Sequence, residues 1–295
     1  MVNYGWGAMP GLTFIKILGN LKFFSHGLKL GTEWKSSFSI KDEAQFHSGD
    51  RQAIPQLIPP WFMPSEIPNK YHQESCDKIG KEYKDFHDTM LDAIGFAHNM
   101  WKLQAKFKDL KINALTALGT PGCLDGPELE SLIKQAPQVA AWTGNKAKHR
   151  DAVAKGVSQC FKKWQDKVMV PGLPWYPAFV VFPGPMAPPM PNIPMPLICC
   201  PSPMMTEICM PTSMAKAMDD ALDGGMKDKD KTKQYAALHD GIATVLSIAF
   251  LIWLVSQQVM LVMGKGQIPT FAPPFVPVGP VVMGDNLPVP GHLMT

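Results

Sequence analysis

The sequence predicts a mainly α-helical protein with a small N-terminal helical bundle, extended proline-rich segments without charge, one long apolar helix, and little or no sheet. Three observations predict this fold class. Apolar residues recur at helical spacing within residues 70–170. Proline is dense in residues 171–213 and again in residues 266–295. Residues 241–264 contain no charged side chain.

Composition limits the function classes. Charged residues make up 18% of the 295-residue chain, below the share usual for a soluble domain, and the net charge is only +3. Nucleic-acid binding requires a concentrated basic face, so no nucleic-acid partner is expected. The six cysteines are spread along the chain, which is typical of free thiols in a reducing compartment.

Residues 1–69 are interpreted as a glycine- and aromatic-rich arm followed by a proline-rich linker. Leu12–Leu30 has an amphipathic pattern, which suits a packed arm, a helix on a membrane surface or a helix in a partner's groove. Gly19 and Gly27 should interrupt a helix there, so the packed arm is favoured. The prolines of residues 54–68 predict an extended linker.

Residues 70–170 are expected to form a helical domain. Its first helix is long and amphipathic, and its apolar face consists of Tyr83, Phe86, Met90, Ile94, Ala97 and Trp101. Asp125 and Glu128 form a capping-box pattern for a short second helix. A third helix carries an apolar stripe and ends before Pro171. Short connections between these helices predict a small bundle.

Residues 171–213 form an apolar segment rich in proline and methionine. No charged residue lies between Lys167 and Glu207, and the prolines exclude a regular helix or a central strand. Disordered proline-rich segments are normally polar, so an apolar one should be buried against a partner. Residues 266–295 form a tail of the same kind. The side chains expected to clamp partners in these two segments are Trp175, Tyr176, Phe179, Phe182, Phe271 and Phe275.

Residues 214–265 contain a polar turn followed by the long apolar helix. As a helix, residues 241–264 would be about 36 Å long, enough to cross the roughly 30 Å hydrocarbon core of a bilayer. A dry protein interior is the alternative, and Trp253 at mid-helix with a polar turn at Ser256 favours it. Small and polar side chains share one face, which predicts a seam for self-association formed by Thr244, Ser247, Leu251, Leu254 and Gln258.

No residue pattern predicts catalysis or a cofactor. Methionines and cysteines between Met186 and Met218 are the soft ligands that Cu(I) prefers, but they show no repeated Met-x-x-Met spacing and include no histidine. Methionine that fills irregular gaps explains them instead. His87, His149 and His239 stand near acids but lack the nucleophile elbow, zinc pair or phosphate loop of a catalytic site. We therefore expect a non-enzyme with no catalytic, cofactor-binding or metal-ligating residue.

The C-terminal half resembles, in composition, the structural subunits of bacteriophage tails and of the related contractile injection particles. Uncharged extended segments on both sides of an apolar helix suit threading and clamping between neighbours. The favoured hypothesis is a non-enzymatic structural subunit of a large symmetric particle, made in the cytoplasm, whose partners are other subunits and copies of itself. The alternative is a single-span subunit of a membrane protein complex, anchored in lipid by residues 241–264.

Overall fold

Helices account for most of the regular structure. The computed structural model describes residues 11–26, 70–176, 179–180, 186–230, 232–268 and 278–294. Within these ranges the α-helices are, in chain order, α1 (Lys16–Ser25), α2 (Lys70–Gln104), α3 (Leu129–Lys134), α4 (Gly144–Gln165), α5 (Met205–Cys209), α6 (Pro211–Ala221), α7 (Gly224–Lys229) and α8 (Gln234–Ser256). A 3-10 turn covers Leu197–Cys199. Helices α2 and α4 lie where the apolar spacing predicts them. Helix α3 begins later than the capping-box pattern predicts: Asp125 lies in a strand, and the N-cap is Glu128, which makes no side-chain capping hydrogen bond.

The described residues also form strands. In chain order they are β1 (Lys106–Phe107), β2 (Lys111–Asn113), β3 (Thr116–Gly119), β4 (Leu124–Asp125), β5 (Val170–Pro174), β6 (Phe179–Val180), β7 (Met186–Pro191), β8 (Met195–Pro196), β9 (Gln258–Val259), β10 (Met263–Gln267), β11 (Val278–Gly279) and β12 (Val282–Asn286). Six of them form an antiparallel sheet in the order β5-β3-β2-β12-β10-β7. The others pair as β1 with β4, β6 with β11, and β8 with β9.

The prediction of a mainly α-helical protein with little or no sheet is wrong. The chain has a mixed α/β structure, and its six-stranded sheet takes β5 and β7 from the proline-rich segment and β12 from the proline-rich tail. Proline is excluded from central strands, whereas β5 and β7 are the two edge strands of this sheet. At an edge, a missing N–H donor on the open side costs no hydrogen bond of the ladder.

Each edge strand also carries a β-bulge at its prolines. Opposite Lys265 of β10, strand β7 has two residues, Pro188 and Pro189. Strand β5 has an extra residue of the same kind at Pro171, opposite Leu118 of β3. A bulge leaves one residue out of the hydrogen-bond ladder, so proline fits there. The prolines therefore shape the edges of the sheet rather than prevent its formation.

The sheet has one buried face and one open face. Ile112 points into the core, whereas its neighbour Lys111 faces solvent and forms an ion pair with Asp285 at 2.6 Å. Trp175, directly after β5, lies on the inner face, because a Cβ atom added to Gly264 would come 2.7 Å from Cζ2 of its indole. Most buried apolar residues of the sheet and of the helices belong to one continuous hydrophobic core, and a small separate cluster contains Ala152, Leu222 and Met226.

The apolar stretch does not continue as a helix to Gly264. Helix α8 ends at Ser256, where Trp253 Nε1 donates to Gln257 Oε1 at 3.0 Å. Gln257 is extended, with φ −71° and ψ 130°, and the chain then enters β9 and β10. The helix has 23 residues, which makes it about 35 Å long and still long enough to cross a bilayer.

Aromatic rings join α2, α4 and α8 in the centre of the core. The rings of Trp253 and His98 have centroids 4.5 Å apart, and those of Phe161 and Trp101 are 4.8 Å apart. All four side chains are buried. Burial disfavours the imidazolium ion and, with a smaller contribution from nearby Lys102, lowers the pKa of His98 to about 3. His98 is therefore a neutral part of the core near pH 7.

Candidate interaction surface

Helix α1 lies antiparallel to α2. Near its start, Lys16 Nζ lies 2.6 Å from Asp92 Oδ1. One turn later, Asn20 Nδ2 donates to Asp88 Oδ1 at 3.3 Å. Residue numbers rise along α1 while those of its partners on α2 fall, so the two helices run in opposite directions. The start of α1 therefore lies beside the C-terminal half of α2.

Two glycines allow a close approach between α1 and α8. A Cβ atom on Gly19 would overlap the imidazole of His87 and come 2.7 Å from Cγ2 of Val245. A Cβ atom on Gly241 would come 2.9 Å from the carbonyl oxygen of Gly19. Gly19 lies inside α1 rather than interrupting it, because the close packing that it permits offsets the low helix propensity of glycine.

Aromatic contacts hold the last turns of α1. Phe23 stacks on Tyr83 of α2 with ring centroids 4.7 Å apart, and Phe24 meets Phe23 edge-on at 5.1 Å. Both phenylalanines are buried, which stabilises the docked helix by about 1.5–3 kcal/mol for each ring. Burial, with a smaller contribution from Asp230, raises the pKa of Tyr83 to about 12, so its hydroxyl stays neutral.

A polar group lies beneath α1, centred on Asp88. His87 Nδ1 lies 2.8 Å and Lys84 Nζ 2.9 Å from its carboxylate, and Asn20 of α1 donates to it as well. Burial would raise the pKa of Asp88, but the hydrogen bonds from His87 and Lys84 outweigh burial and hold it well below its usual range. A carboxylate only accepts, so His87 Nδ1 carries hydrogen. His87 Nε2 is buried against Gly19 and has no hydrogen-bond partner among the described residues.

The outer side of α1 and the adjoining ends of α2 and α8 expose large apolar side chains. Their relative exposure lies between 37% and 56%. We call them the apolar ridge, which consists of Ile15, Ile17, Leu18 and Leu21 at α1, Phe96 and Leu103 on α2, and Leu251, Ile252 and Val255 on α8. Lys16 near the start of α1 pairs with Asp92 of α2, and Gly19 lies against Gly241 and Val245 of α8, so the ridge residues of α2 and α8 follow these contacts along their helices. A patch shared by several elements is typical of an interaction surface.

Ion pairs border the apolar ridge on both sides. Lys16 pairs with Asp92 of α2, and Lys22 Nζ lies 3.2 Å from Asp240 Oδ2 of α8, which also has a hydrogen-bond contact with His26 Nε2 at 3.0 Å. Helix α1 itself contains no acidic residue. Exposed pairs of this kind contribute little stability, about 0–1 kcal/mol, so their main effect is to orient α1.

The structure separates the five residues of the sequence-predicted seam. Ser247 and Leu254 are buried within this chain, and Leu251 is exposed as part of the apolar ridge. Thr244 is half-buried and donates to the carbonyl oxygen four residues before it at 2.7 Å. Gln258 is half-buried in β9, beyond the end of the helix. Only Leu251 of the five therefore contributes a large exposed apolar side chain to the surface.

The predicted clamping side chains also differ in their surroundings. Trp175 is buried in the chain's own core, and Tyr176, next to it, is exposed. The backbone of Phe179 pairs with Gly279 where β6 meets β11. The remaining members lie outside the described residues; they are Phe182, Phe271 and Phe275.

Sequence reasoning identified Leu251 alone among the ridge residues. A signal for Ile17, Leu18 and Leu21 is present in the amphipathic pattern of Leu12–Leu30, in which apolar residues alternate with lysine and asparagine. The α8 members carry no such signal. Helix α8 is apolar on almost every side, so its periodicity does not show which side is exposed.

A histidine–acid pair links α6 and α8; the histidine is buried and the acid is half-buried. His239 Nδ1 lies 2.6 Å from Asp219 Oδ1, and the ring of His149 has its centroid 6.5 Å away. General bases often use a histidine oriented by a carboxylate. His239 is fully buried, however, and its Nε2 has no partner among the described residues. Asp240, its neighbour in sequence, pairs with α1 instead.

Two further properties concern only the described part of the chain. No group of three or more His, Cys, Asp or Glu side chains there could hold a metal ion. One helix, α8, is long and apolar enough to cross a membrane. Its most apolar 18-residue window has a mean hydropathy of 1.9, and 67% of that window is buried inside the protein. A core helix has the same length and composition.

No protein-family model, no curated protein and no solved structure matches this chain. The functional proposal therefore depends on the sequence and on the geometry of α1, α2 and α8.

Proposed function

We propose that this protein is a non-enzymatic structural subunit of a large symmetric assembly, of the kind found in phage tails and contractile injection particles. Neighbouring subunits, including further copies of this chain, cover its apolar ridge. The ridge is the observation that supports the proposal, because it gathers large exposed apolar side chains from three helices. Single exposed apolar residues are normal on any protein, whereas a shared patch of this kind favours a partner.

The sheet is poorly suited to assembly by strand addition. Its two edge strands, β5 and β7, contain prolines and bulges, which remove donors and disrupt the ladder. Its open face is mixed, with the charged side chains of Lys111, Lys265 and Asp285 beside exposed Leu118. Contacts between subunits are therefore expected at the helices rather than at the sheet.

Lysine substitutions in the apolar ridge test the proposal. Ile252→Lys and Val255→Lys each place a charge where a neighbouring subunit would bury it without a partner. Leu118→Lys is a matched control, because Leu118 is 53% exposed on the open face of the sheet. The measurement is the mass distribution, by sedimentation velocity, of the purified chain and of the complex that it forms in the cells that produce it. Both ridge variants should lose the large species, and the control should keep it.

Circular dichroism of each variant separates loss of assembly from loss of folding. Ile252 and Val255 are exposed, so their replacement should leave the fold intact. Ridge variants that assemble as the wild-type chain does would contradict the proposal. A wild-type chain that stays single at every concentration, and that co-purifies with no other subunit, would contradict it as well.

A single-span subunit of a membrane complex is the second candidate function. The length and apolar composition of α8 favour it. To enter lipid, α8 would have to leave α1 and the core, since 67% of its most apolar window is buried within the protein. Alkaline carbonate extraction of producing cells distinguishes the two candidates. Retention of the chain in the vesicle pellet favours the membrane subunit, and release favours the soluble particle.

A further inference from the structure

The groove between α2 and α8 has a shape that matches one particular helix. A Cβ atom on Gly95 of α2 would come 2.9 Å from Cε2 of Phe14, two residues before α1. We use the arm as the name for α1 and the described residues that precede it, from residue 11 onward. A Cβ atom on Gly241 of α8 would come 2.9 Å from the carbonyl oxygen of Gly19. Both walls therefore have glycine where the arm approaches most closely. This complementarity is typical of a binding site for a defined ligand.

The groove and α1 also have complementary charge. Helix α1 carries Lys16 and Lys22 and no acidic residue, while the walls present Asp92 and Asp240 to these lysines. Asp88, between the two pairs, accepts a hydrogen bond from the arm as well. Charge complementarity of this kind sets the orientation and register of a bound helix more than its affinity.

The connection between α1 and α2 has more residues than are needed to join the two helices within one chain. The end of α1 packs on Tyr83, and from there the start of α2 at Lys70 is only about 20 Å away along the helix. A stretch of the length of residues 27–69 can span on the order of 140 Å when it is fully extended. The groove of a neighbouring subunit is within that reach.

We propose that neighbouring subunits exchange α1, so that the α1 of one copy binds the α2–α8 groove of the next copy. This exchange rests on the proposed function and names the occupant of one interface in the assembly. Exchange of an identical element costs little, because the contacts are the same within one chain and between two chains. The high local concentration of subunits in an assembly favours the contact between chains. Exchange from head to tail produces a ring or an open filament.

Cysteine cross-linking between two differently tagged chains tests the exchange. One full-length chain carries Lys16→Cys and the other carries Asp92→Cys, positions whose native side chains are 2.6 Å apart. The two chains are co-expressed and treated with a short thiol-specific cross-linker. Exchange should produce a covalent dimer that carries both tags. A matched pair, Lys16→Cys with Leu118→Cys on the open sheet face, should not produce it, and each single variant measures the background from native cysteines such as exposed Cys199.

The outcomes distinguish this inference from the proposed function. A single chain that carries both Lys16→Cys and Asp92→Cys shows, by an internal cross-link, whether the arm contacts the groove of its own molecule. One outcome is that the doubly substituted chain cross-links within one molecule while assembled particles from the two-chain mixture give no mixed dimer. In that case each arm stays in its own groove and the exchange is wrong, but the proposed assembly is not contradicted. If the wild-type chain does not assemble at all, both proposals are wrong.

A complementation experiment provides an independent readout. Gly19→Leu disables the arm and leaves the groove intact, whereas Gly241→Leu blocks the groove and leaves the arm intact. Each variant alone should lose the exchanged interface. A mixture of the two should recover dimers, because one chain still has a working arm and the other a working groove. Gly224→Leu is the control, since no atom lies within 4 Å of a Cβ added there. A mixture that recovers no dimer would contradict the exchange.

Discussion

Buried histidines link the charge state of single residues to the stability of this protein. His98 lies among aromatic rings, and neither of its ring nitrogens has a partner among the described residues. His292 accepts a hydrogen bond at Nδ1 from the backbone N–H of Phe107 at 2.8 Å. Burial lowers the pKa of His292 to about 4. Both side chains must be neutral, because protonation would place a charge in the core and, for His292, remove the acceptor.

We expect the free energy of unfolding to decrease as the pH falls below the value at which a free histidine takes up a proton. The unfolded chain protonates His98 near pH 6.5, whereas the folded chain resists protonation down to about pH 3. Stability is therefore lost as the pH falls through this window, with a slope of up to about 1.4 kcal/mol per pH unit for His98. Above this window His98 is neutral in both the folded and the unfolded chain, so it adds no pH dependence to the free energy of unfolding. In urea unfolding, His98→Leu should reduce the difference in stability between neutral and mildly acidic buffer.

His26→Leu is the control for this experiment. His26 lies on the surface at the end of α1, with 43% of its side chain exposed. Its removal should leave most of the acid sensitivity in place. A His98→Leu chain that keeps the full wild-type difference would show that His98 is not the source.

Helix α8 has a buried and an exposed side, and lysine substitutions should distinguish them. Leu254 is 1% exposed and Ile252 is 43% exposed, although only two positions separate them. Leu254→Lys would bury an unpaired charge, so we expect it to destabilise the single chain by about 3 kcal/mol or more. Ile252→Lys should change the stability by about 0.5 kcal/mol or less. Urea denaturation of the two variants checks this, and equal effects would contradict the orientation of α8.

The prolines of β7 are expected to protect an edge of the sheet. Pro188→Thr together with Pro189→Val would restore backbone donors and allow a regular edge strand. We expect faster aggregation, measured by light scattering during incubation at a raised temperature. Pro288→Val, in the exposed segment after β12, is the control. Unchanged aggregation of the β7 double variant would mean that the bulge alone protects this edge.

For the whole molecule, the arm exchange predicts that α1 leaves its groove more readily than the core unfolds. Phe23→Ala removes a buried ring, which should weaken the docking of α1 by about 3 kcal/mol. Hydrogen exchange should then become roughly 100-fold faster for the amides of α1. Amides around Phe250, in the buried part of α8, should change little. If α1 and the centre of α8 always exchange together, α1 belongs to the same cooperative unit and cannot move separately.

The sequence by itself determined the positions of the main helices and the places where proline is allowed. Apolar residues at spacings of three and four predict α2 and α4, because this period is a property of neighbouring residues. The lack of an N–H group in proline acts locally too, so it confines β5 and β7 to edges and bulges. The apolar character of α8 is equally evident from its residues.

Only the tertiary structure decided the sheet and the apolar ridge. Lys111 pairs with Leu118 on one side and with Asp285 on the other, and strands of two to six residues carry too little periodicity to reveal such distant partners. The sequence of α8 likewise does not distinguish exposed Leu251 from buried Leu254. That difference arises from the elements that pack around the helix, because burial depends on contacts between residues far apart in the chain.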